Sequence, residues 1–484
     1  MIAPRPDPFL PREAAREDPD RPALVEASGR SWSYAALARR VAMARARLRA
    51  RGVRPGDPAC RVTFPADVGV DALTVLYALV DLGVPVVPVH PKLTDPEQKA
   101  VRASLGATVV LGRDEVSALC EGPVQTSAEE RPDVDVDPEA PLALIATSGT
   151  TGQPKGVVLT RRAFEAAAAA SARNLGWRDD DRWLLCMPPA HVGGLSIPLR
   201  TLMARRTIVC GPPGPFEGAA VLDAIARQRV TLVSLVPTML ARLIEALEAE
   251  PERVVPSSLR AILLGGAGAP DALLHRARAW NLPVLTTYGL TETCGQVTTQ
   301  RPGTPPDPRE GAGHPLPPME VRVVDDEICV RGPALLRGYV STEGPVAPPV
   351  TDDGFLRTGD AGWFDGEGRL HVAGRLDDRI VTGGENVDPL EVERVLEGVP
   401  GVRGACVFGV EDPTWGQVVA AAVVFDDGVA SMDALRRVVH ERLAAHRRPR
   451  LVAAVGGLEA TASGKVDRRN LALRYRSELR PLFE

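Results

Sequence analysis

The run Thr147-Ser148-Gly149-Thr150-Thr151-Gly152-Gln153-Pro154-Lys155-Gly156 gathers hydroxyls, glycines and one ammonium directly after the apolar stretch Leu142 to Ala146. Backbone N–H groups exposed by glycine, hydroxyl donors and a lysine are what a polyphosphate needs to leave water. A Walker loop would place its lysine directly after the second glycine and open a helix. Here the lysine follows Gln153-Pro154, and Val157-Val158-Leu159-Thr160 is β-branched and apolar, so the loop is predicted to join two strands. Any four of these residues would suit a surface turn; the whole run reads as a phosphate cradle. Other chemistry-bearing residues stand downstream in Tyr288-Gly289-Leu290-Thr291-Glu292-Thr293, Thr358-Gly359-Asp360, Gly374-Arg375-Leu376-Asp377-Asp378 and Ser463-Gly464-Lys465. Taken singly, Glu292 and Asp360 would pass for turn or cap carboxylates and Lys465 for a surface lysine.

Together, in this order, these segments resemble the motifs of the adenylate-forming superfamily, which includes acyl- and aryl-CoA ligases, luciferases and peptide-synthetase adenylation domains. The resemblance implies two half-reactions in one site. ATP would first activate a carboxylic acid as an acyl-adenylate, and coenzyme A would then displace AMP. It also implies roles. Thr147, Ser148, Gly149, Thr150, Thr151, Gly152 and Lys155 would hold the phosphates. Gly265, Gly266 and Ala267 would lie against the adenine, with Tyr288 stacked on it beside Gly289. Thr291 would offer its hydroxyl to a phosphate and Glu292 would bind Mg2+, a hard cation that shares its shell with substrate phosphates. Asp360 would accept the ribose hydroxyls, Arg375 would contact the nucleotide, and Lys465 would bridge acid and α-phosphate. Asp377 would be the pivot of a mobile domain that also carries Gly383-Gly384-Glu385-Asn386, the segment that lines the thiol channel.

Stepping outward to what must carry these groups, the 484 residues are too many for one compact core. Helical and strand patterns alternate in the first two thirds. Helices are predicted at Tyr34 to Arg51, Asp67 to Leu82, Arg161 to Leu175, Ala219 to Arg227 and Thr238 to Leu247. Strands are predicted at Ala59 to Phe64, Val84 to Val89, Trp183 to Met187, Thr207 to Cys210, Leu232 to Val236, Ala261 to Leu264 and Val284 to Thr287. Between Gly311 and Trp363 short alternating strands suit a small β-rich subdomain. Asp388-Pro389-Leu390-Glu391 reads as a helix start with an N-cap carboxylate, followed by strands Ala405 to Val410 and Val418 to Phe425 and a helix Ser431 to His446. The fold class expected is therefore α/β: a large N-terminal domain of two helix-flanked sheets plus the β-rich piece, then a small mobile α+β domain. The hinge implied by the resemblance divides them as 1–376 and 377–484.

Composition narrows the function classes. Hydrophobic residues make up 44% and charged residues 25%, as in ordinary globular enzymes, and 57 basic against 62 acidic residues argue against a nucleic-acid partner. Seven dispersed cysteines without a CxxC pair suit reduced thiols, and seven histidines without ligand spacing argue against structural zinc. No apolar run reaches membrane-spanning length and the N-terminus lacks a signal core. A cytoplasmic enzyme is expected, with a carboxylic acid, ATP and coenzyme A as partners; a homo-oligomer is compatible with the chain.

The acid pocket is expected along Met187-Pro188-Pro189-Ala190-His191-Val192-Gly193-Gly194-Leu195-Ser196. This stretch is similar to that of o-succinylbenzoate:CoA ligases of menaquinone synthesis, as are Pro256 to Arg260, Thr287 to Gln296 and Thr382 to Pro389. Pro189-Ala190 stands where such enzymes usually carry an aromatic or Leu-Phe pair, and Cys294-Gly295 where they carry small hydroxyl residues. His191 would orient the carboxylate or close the pocket, and Gly193 and Gly194 would make room for a ring. The second carboxylate of o-succinylbenzoate would be met by Ser196, Thr287, Gln296 or a bound water, since the pocket stretches 187–196 and 287–296 hold no lysine or arginine. Other aryl or acyl acids, a carrier-protein thiol as acceptor, and a regulatory relative without activity are the alternatives; Lys155, Glu292, Asp360, Arg375 and Lys465 argue against the last.

Overall fold

The computed structural model describes residues 7–122, 137–148, 154–426, 432–459 and 466–483. Nine strands form one sheet in the order His314–Pro315, Gly295–Thr299, Val284–Leu290, Ala261–Leu264, Leu232–Leu235, Arg182–Leu185, Thr207–Cys210, Pro22–Val25 and Ser31–Ser33. Its middle is parallel and its edges antiparallel. A second sheet of seven strands has parallel strands Val62–Pro65, Val86–Val89 and Pro141–Ser148 continued by antiparallel Pro154–Thr160, Gly338–Ser341 and Gly344–Val346. The predicted hairpin around the phosphate loop is thus present, with Thr147 opposite Lys155.

Parallel strands need both faces covered, which is why they read as unbroken apolar runs. Val86–Val89 is buried throughout, as are Thr207–Cys210 and Ala261–Leu264. The helix Val70–Asp81 is buried on every side, the mark of an element enclosed between layers. Its Tyr77 hydroxyl donates to the Pro198 carbonyl of helix Val192–Met203 at 3.0 Å. One apolar core runs from Val62, Val86 and Ile145 of the seven-stranded sheet to Trp183, Leu185 and Ile208 of the nine-stranded one.

The predicted β-rich piece is a four-stranded antiparallel sheet of Glu320–Val324, Glu327–Arg331, Leu356–Phe364 and Leu370–Arg375. One 3-10 turn, Leu376–Asp378, separates it from a six-stranded C-terminal sheet that begins at Ile380. Helix Pro389–Glu397 follows Asp388 as predicted, but the Asp388 side chain makes no cap bond; its Oδ1 accepts from Arg379 Nε at 2.8 Å. The predicted last helix is shorter, Met432–Arg442, and ends in a 3-10 turn Ala445–Arg447. The helix Pro11–Glu17 and the hairpin Pro22–Val25 with Ser31–Ser33 form an edge that the sequence patterns did not reveal.

Candidate active site

Ligands in open α/β sheets bind beyond the carboxyl ends of parallel strands, and the predicted residues collect there. Strand Val284–Leu290 carries Thr287, Tyr288 and Gly289 and runs into the 3-10 turn Thr291–Thr293. The Thr293 hydroxyl accepts from Leu290 N at 3.0 Å and donates to Gly295 O at 2.9 Å, closing that turn and presenting Thr291 and Glu292 at the strand end. A Cβ at Gly289 would lie 1.7 Å from the Gly295 carbonyl, so glycine is required there for two backbones to cross.

The predicted residues form two clusters. In the first, Tyr288 is 8% exposed and its hydroxyl donates to Asp360 Oδ2 at 2.8 Å, while Arg375 Nη1 donates to Asp360 Oδ1 at 3.0 Å and to the Thr358 carbonyl at 3.0 Å. Burial and the neighbouring Asp360 carboxylate raise the Tyr288 phenol well above its ordinary value, so it stays a donor. These two bonds orient the Asp360 carboxylate. Arg375 Nη2 also lies 3.9 Å from Asp377, joining this cluster to the predicted pivot.

In the second cluster Lys155 Nζ lies 4.0 Å from the centre of the Tyr339 ring, and the Tyr339 hydroxyl donates to Glu292 Oε1 at 3.2 Å. A phosphate-loop lysine and the expected magnesium ligand therefore meet through a residue not singled out in sequence. No group of three His, Cys, Asp or Glu among the described residues could hold a metal alone. A lone carboxylate beside a lysine suits an ion whose shell is completed by phosphates and water, the habit of magnesium, so the donor set fits. Gly265 and Gly266 follow strand Ala261–Leu264, and a Cβ on Gly265 would press on Thr287 at 2.8 Å. Ala267 continues the same loop. Gly149, Thr150, Thr151, Gly152 and Lys465 lie outside the described residues, as does the Ser148 side chain.

The acid-pocket segments converge on Arg200, which sequence reading missed. It lies on helix Val192–Met203, four residues after Ser196, and is 4% exposed. Its Nη1 donates to Gln296 Oε1 at 2.7 Å and to Ser171 Oγ at 3.1 Å, its Nε to the Ser196 carbonyl at 3.2 Å, and its guanidinium faces the Trp183 ring at 5.2 Å. Gln296 Nε2 in turn donates to Thr299 Oγ1 at 2.9 Å, which lies 2.9 Å from Thr287 Oγ1. No carboxylate forms an ion pair with Arg200 among the described residues, and burial pulls its pKa down to about 10. The signal available in sequence was a charge inside the apolar run Leu195 to Leu202.

The Ser196 hydroxyl is turned back to the Gly193 carbonyl at 3.2 Å. A Cβ on Gly194 would meet the Pro188 carbonyl oxygen at 2.2 Å, whereas one on Gly193 would meet only the flexible end of Met187. Gly194 thus serves the close packing of the helix start against the Pro188 carbonyl. His191 occupies the N-cap position of the helix, and its ring lies 5.2 Å from that of His90, tilted by 46°. His90, at the end of strand Val86–Val89, is buried, and its pKa is lowered by burial and by Lys92.

On the C-terminal unit, Gly383 and Gly384 form the tip of the hairpin Ile380–Thr382 with Glu385–Val387, and Asn386 pairs with Val381. Gly383 N donates to the Trp415 carbonyl at 2.9 Å; the half-exposed Trp415 ring is covered by Arg450 at 4.1 Å.

Residues 11–340 match the family described as AMP-binding enzyme, and residues 391–465 match the AMP-binding enzyme C-terminal domain. The chain belongs to the AMP-binding enzymes. It is 34% identical to 2-succinylbenzoate–CoA ligase of Bacillus licheniformis, over 95% of this chain and 98% of the relative. It also superposes on o-succinylbenzoate CoA synthetase of Bacillus subtilis in complex with the acyl-adenylate intermediate OSB-AMP, with a TM-score of 0.83, 32% identity, and 96% and 98% of the two chains covered. For the same Bacillus subtilis enzyme in complex with ATP and magnesium ion the TM-score is 0.81 at 32% identity, covering 96% and 99%.

Proposed function

We propose that this enzyme is an AMP-forming o-succinylbenzoate:CoA ligase of menaquinone synthesis. A carboxylate oxygen of the succinyl arm attacks the α-phosphorus of ATP and pyrophosphate leaves; the coenzyme A sulfur then attacks the acyl carbonyl and AMP leaves, its proton going to solvent. The observation that carries the choice of acid is Arg200. A buried guanidinium bonded to neutral partners is a binding site for an anion, and an acid with a second carboxylate on its ring supplies one. Gln296, Ser171 and Thr299 hold it in place, so the ring carboxylate meets a pre-oriented fork. The relatives named above act on or bind this same acid.

The chain's residues divide the work. Lys155 with Thr147 to Gly152 receives the phosphates, Gly265 to Ala267 and Tyr288 the adenine, and Asp360, oriented by Tyr288 and Arg375, the ribose hydroxyls. Thr291 donates to a phosphate oxygen. Lys465 bridges the attacking carboxylate and the α-phosphate, where charge develops. Glu292 would hold magnesium, which supplies neutralisation of phosphate charge. His191 at the pocket wall orients the acid. We place the domain boundary at 376/377, with the second half-reaction reached by rotation about Asp377. Trp415 and Arg450 beside the Gly383-Gly384 hairpin offer a stacking face and a cation for the nucleotide end of coenzyme A. We infer a cytoplasmic enzyme from its use of ATP and coenzyme A; among the described residues no helix is long and apolar enough to cross a membrane. A homo-oligomer is compatible with a site whose described residues come from one chain.

AMP release measured over o-succinylbenzoate, benzoates, cinnamates and fatty acids tests the reading. The highest kcat/KM is expected for o-succinylbenzoate with free coenzyme A. Another acid preferred by more than about tenfold, ~1.4 kcal/mol in transition-state binding, would overturn the substrate, and turnover only with a carrier protein would overturn the acceptor.

A further inference from the structure

We propose that Tyr339 is a positioning residue that couples the phosphate-loop lysine to the magnesium carboxylate, and that it sets the affinity for the metal–ATP pair. Sheet geometry makes the coupling. Strand Gly338–Ser341 pairs antiparallel with Pro154–Thr160, with Tyr339 opposite Val157. Lys155 is two residues from Val157 and so shares its face, at the diagonal distance that an aromatic ring spans. The ring is 7% exposed and its face lies 4.0 Å from Lys155 Nζ, a cation–π distance. Glu292, in the turn that follows the other sheet's strand Val284–Leu290, is tied to this part of the chain twice: its Oε1 accepts the Tyr339 hydroxyl at 3.2 Å, and its carbonyl accepts Leu336 N, just before the strand, at 2.8 Å.

Each contact has a separate consequence. The phenol donates to one carboxylate oxygen of Glu292 and so fixes the plane in which the other oxygen can meet a cation. Partners of this kind, one bond removed from the ion, are worth about 10- to 100-fold in metal affinity. The ring face confines an ammonium on a flexible four-carbon stem to the side of the loop facing Glu292, so less side-chain freedom is lost when a phosphate arrives.

The inference rests on the ATP and magnesium roles proposed for Lys155 and Glu292, and the variants separate the two. Mg2+ is titrated calorimetrically into the full-length protein with ATP present and no acid, and ATP KM is measured at saturating Mg2+. Tyr339→Phe keeps the ring and loses the hydroxyl: Mg2+ affinity is expected to fall about tenfold, with ATP KM within about twofold of the parent. Tyr339→Leu loses both: ATP KM is expected to rise at least about fivefold in addition. Unchanged Mg2+ affinity in Tyr339→Phe, or Tyr339→Leu behaving as Tyr339→Phe does, overturns the proposal when Glu292→Gln and Lys155→Ala still weaken the pair. If Glu292→Gln itself leaves Mg2+ affinity unchanged, the magnesium role of Glu292 falls and this inference with it.

Discussion

A guanidinium at 4% exposure without a carboxylate beside it is a cost to the fold. Arg200 carries that cost in the ligand-free protein and recovers it when an anion binds. Arg200→Met is therefore expected to lower kcat/KM for o-succinylbenzoate by about a hundredfold, in line with roughly 2–5 kcal/mol for truncating a buried charge pair. The analogue lacking the ring carboxylate should lose less than about threefold. The acceptors on Gln296, Ser171 and Ser196 lose their donor in that variant, so the ligand-free Tm should fall modestly; a merely structural role for Arg200 would lower kcat/KM for both acids alike. Lys465→Ala should cost at least about a hundredfold in adenylate formation, ~3 kcal/mol, while thioester formation from supplied acyl-adenylate persists; equal loss in both, followed by rapid quench, would remove Lys465 from its role. The segments that meet around Asp360 and Glu292 were legible in sequence because each motif is contiguous. Arg200 and Tyr339 were not, because their meaning lies in partners 96 and 47 positions away.

Among elements, strands enclosed on both faces were legible nearly to the residue, since burial alone writes their apolar runs: Thr207–Cys210 and Ala261–Leu264 match their predicted bounds. The helix Arg161–Leu175 does too, because the Thr160 hydroxyl caps it by accepting from Ala163 N at 3.2 Å. The reading failed where a side chain had two uses open to it. Asp388 has the position of a cap but is taken by Arg379. Helix Pro389–Glu397 also carries an expectation about pH. Burial first, then the charges of Glu393 and of Asp271 across the contact with the N-terminal part, push the Glu397 carboxyl up to about 7, while Ala405 N–H and Arg394 pull the other way. Between its ordinary 4.5 and about 7 the folded state binds the extra proton, so this group's stabilisation is present below 4.5 and is lost as pH rises through 7. Glu397→Gln mimics the protonated form. Its Tm relative to the parent should be unchanged at pH 4.5 and higher by a few degrees at pH 8; a constant difference across that range would refute the assignment.

At the scale of the whole molecule, two sheets share one core while the C-terminal unit rests on them through a narrow set of groups. Leu390 lies close to Gly268 and Gly374, Arg394 donates to the Val372 carbonyl at 3.3 Å, and Arg379 stands 3.9 Å from Asp326. Gly268 directly follows the loop Gly265 to Ala267, so the C-terminal unit abuts the proposed adenine site, and Arg375 links Asp360 to Asp377 across the same junction. Relative motion is the ordinary expectation for domains joined within one chain. Asp377 sits in the 3-10 turn Leu376–Asp378, where φ is about −60° and proline fits. Asp377→Pro should hold that torsion and penalise the change of backbone that a rotation needs; of the groups proposed to bind ATP it loses only the 3.9 Å charge contact to Arg375, which keeps its bonds to Asp360 and Thr358. Acid-dependent pyrophosphate exchange is expected to stay within about threefold of the parent, while thioester production falls by about a hundredfold, roughly 2.7 kcal/mol on the second half-reaction. If single-turnover thioester formation runs at the parental rate in that variant, the pivot lies elsewhere in the Gly374 to Arg379 segment, and the two half-reactions share a domain arrangement that does not turn on Asp377.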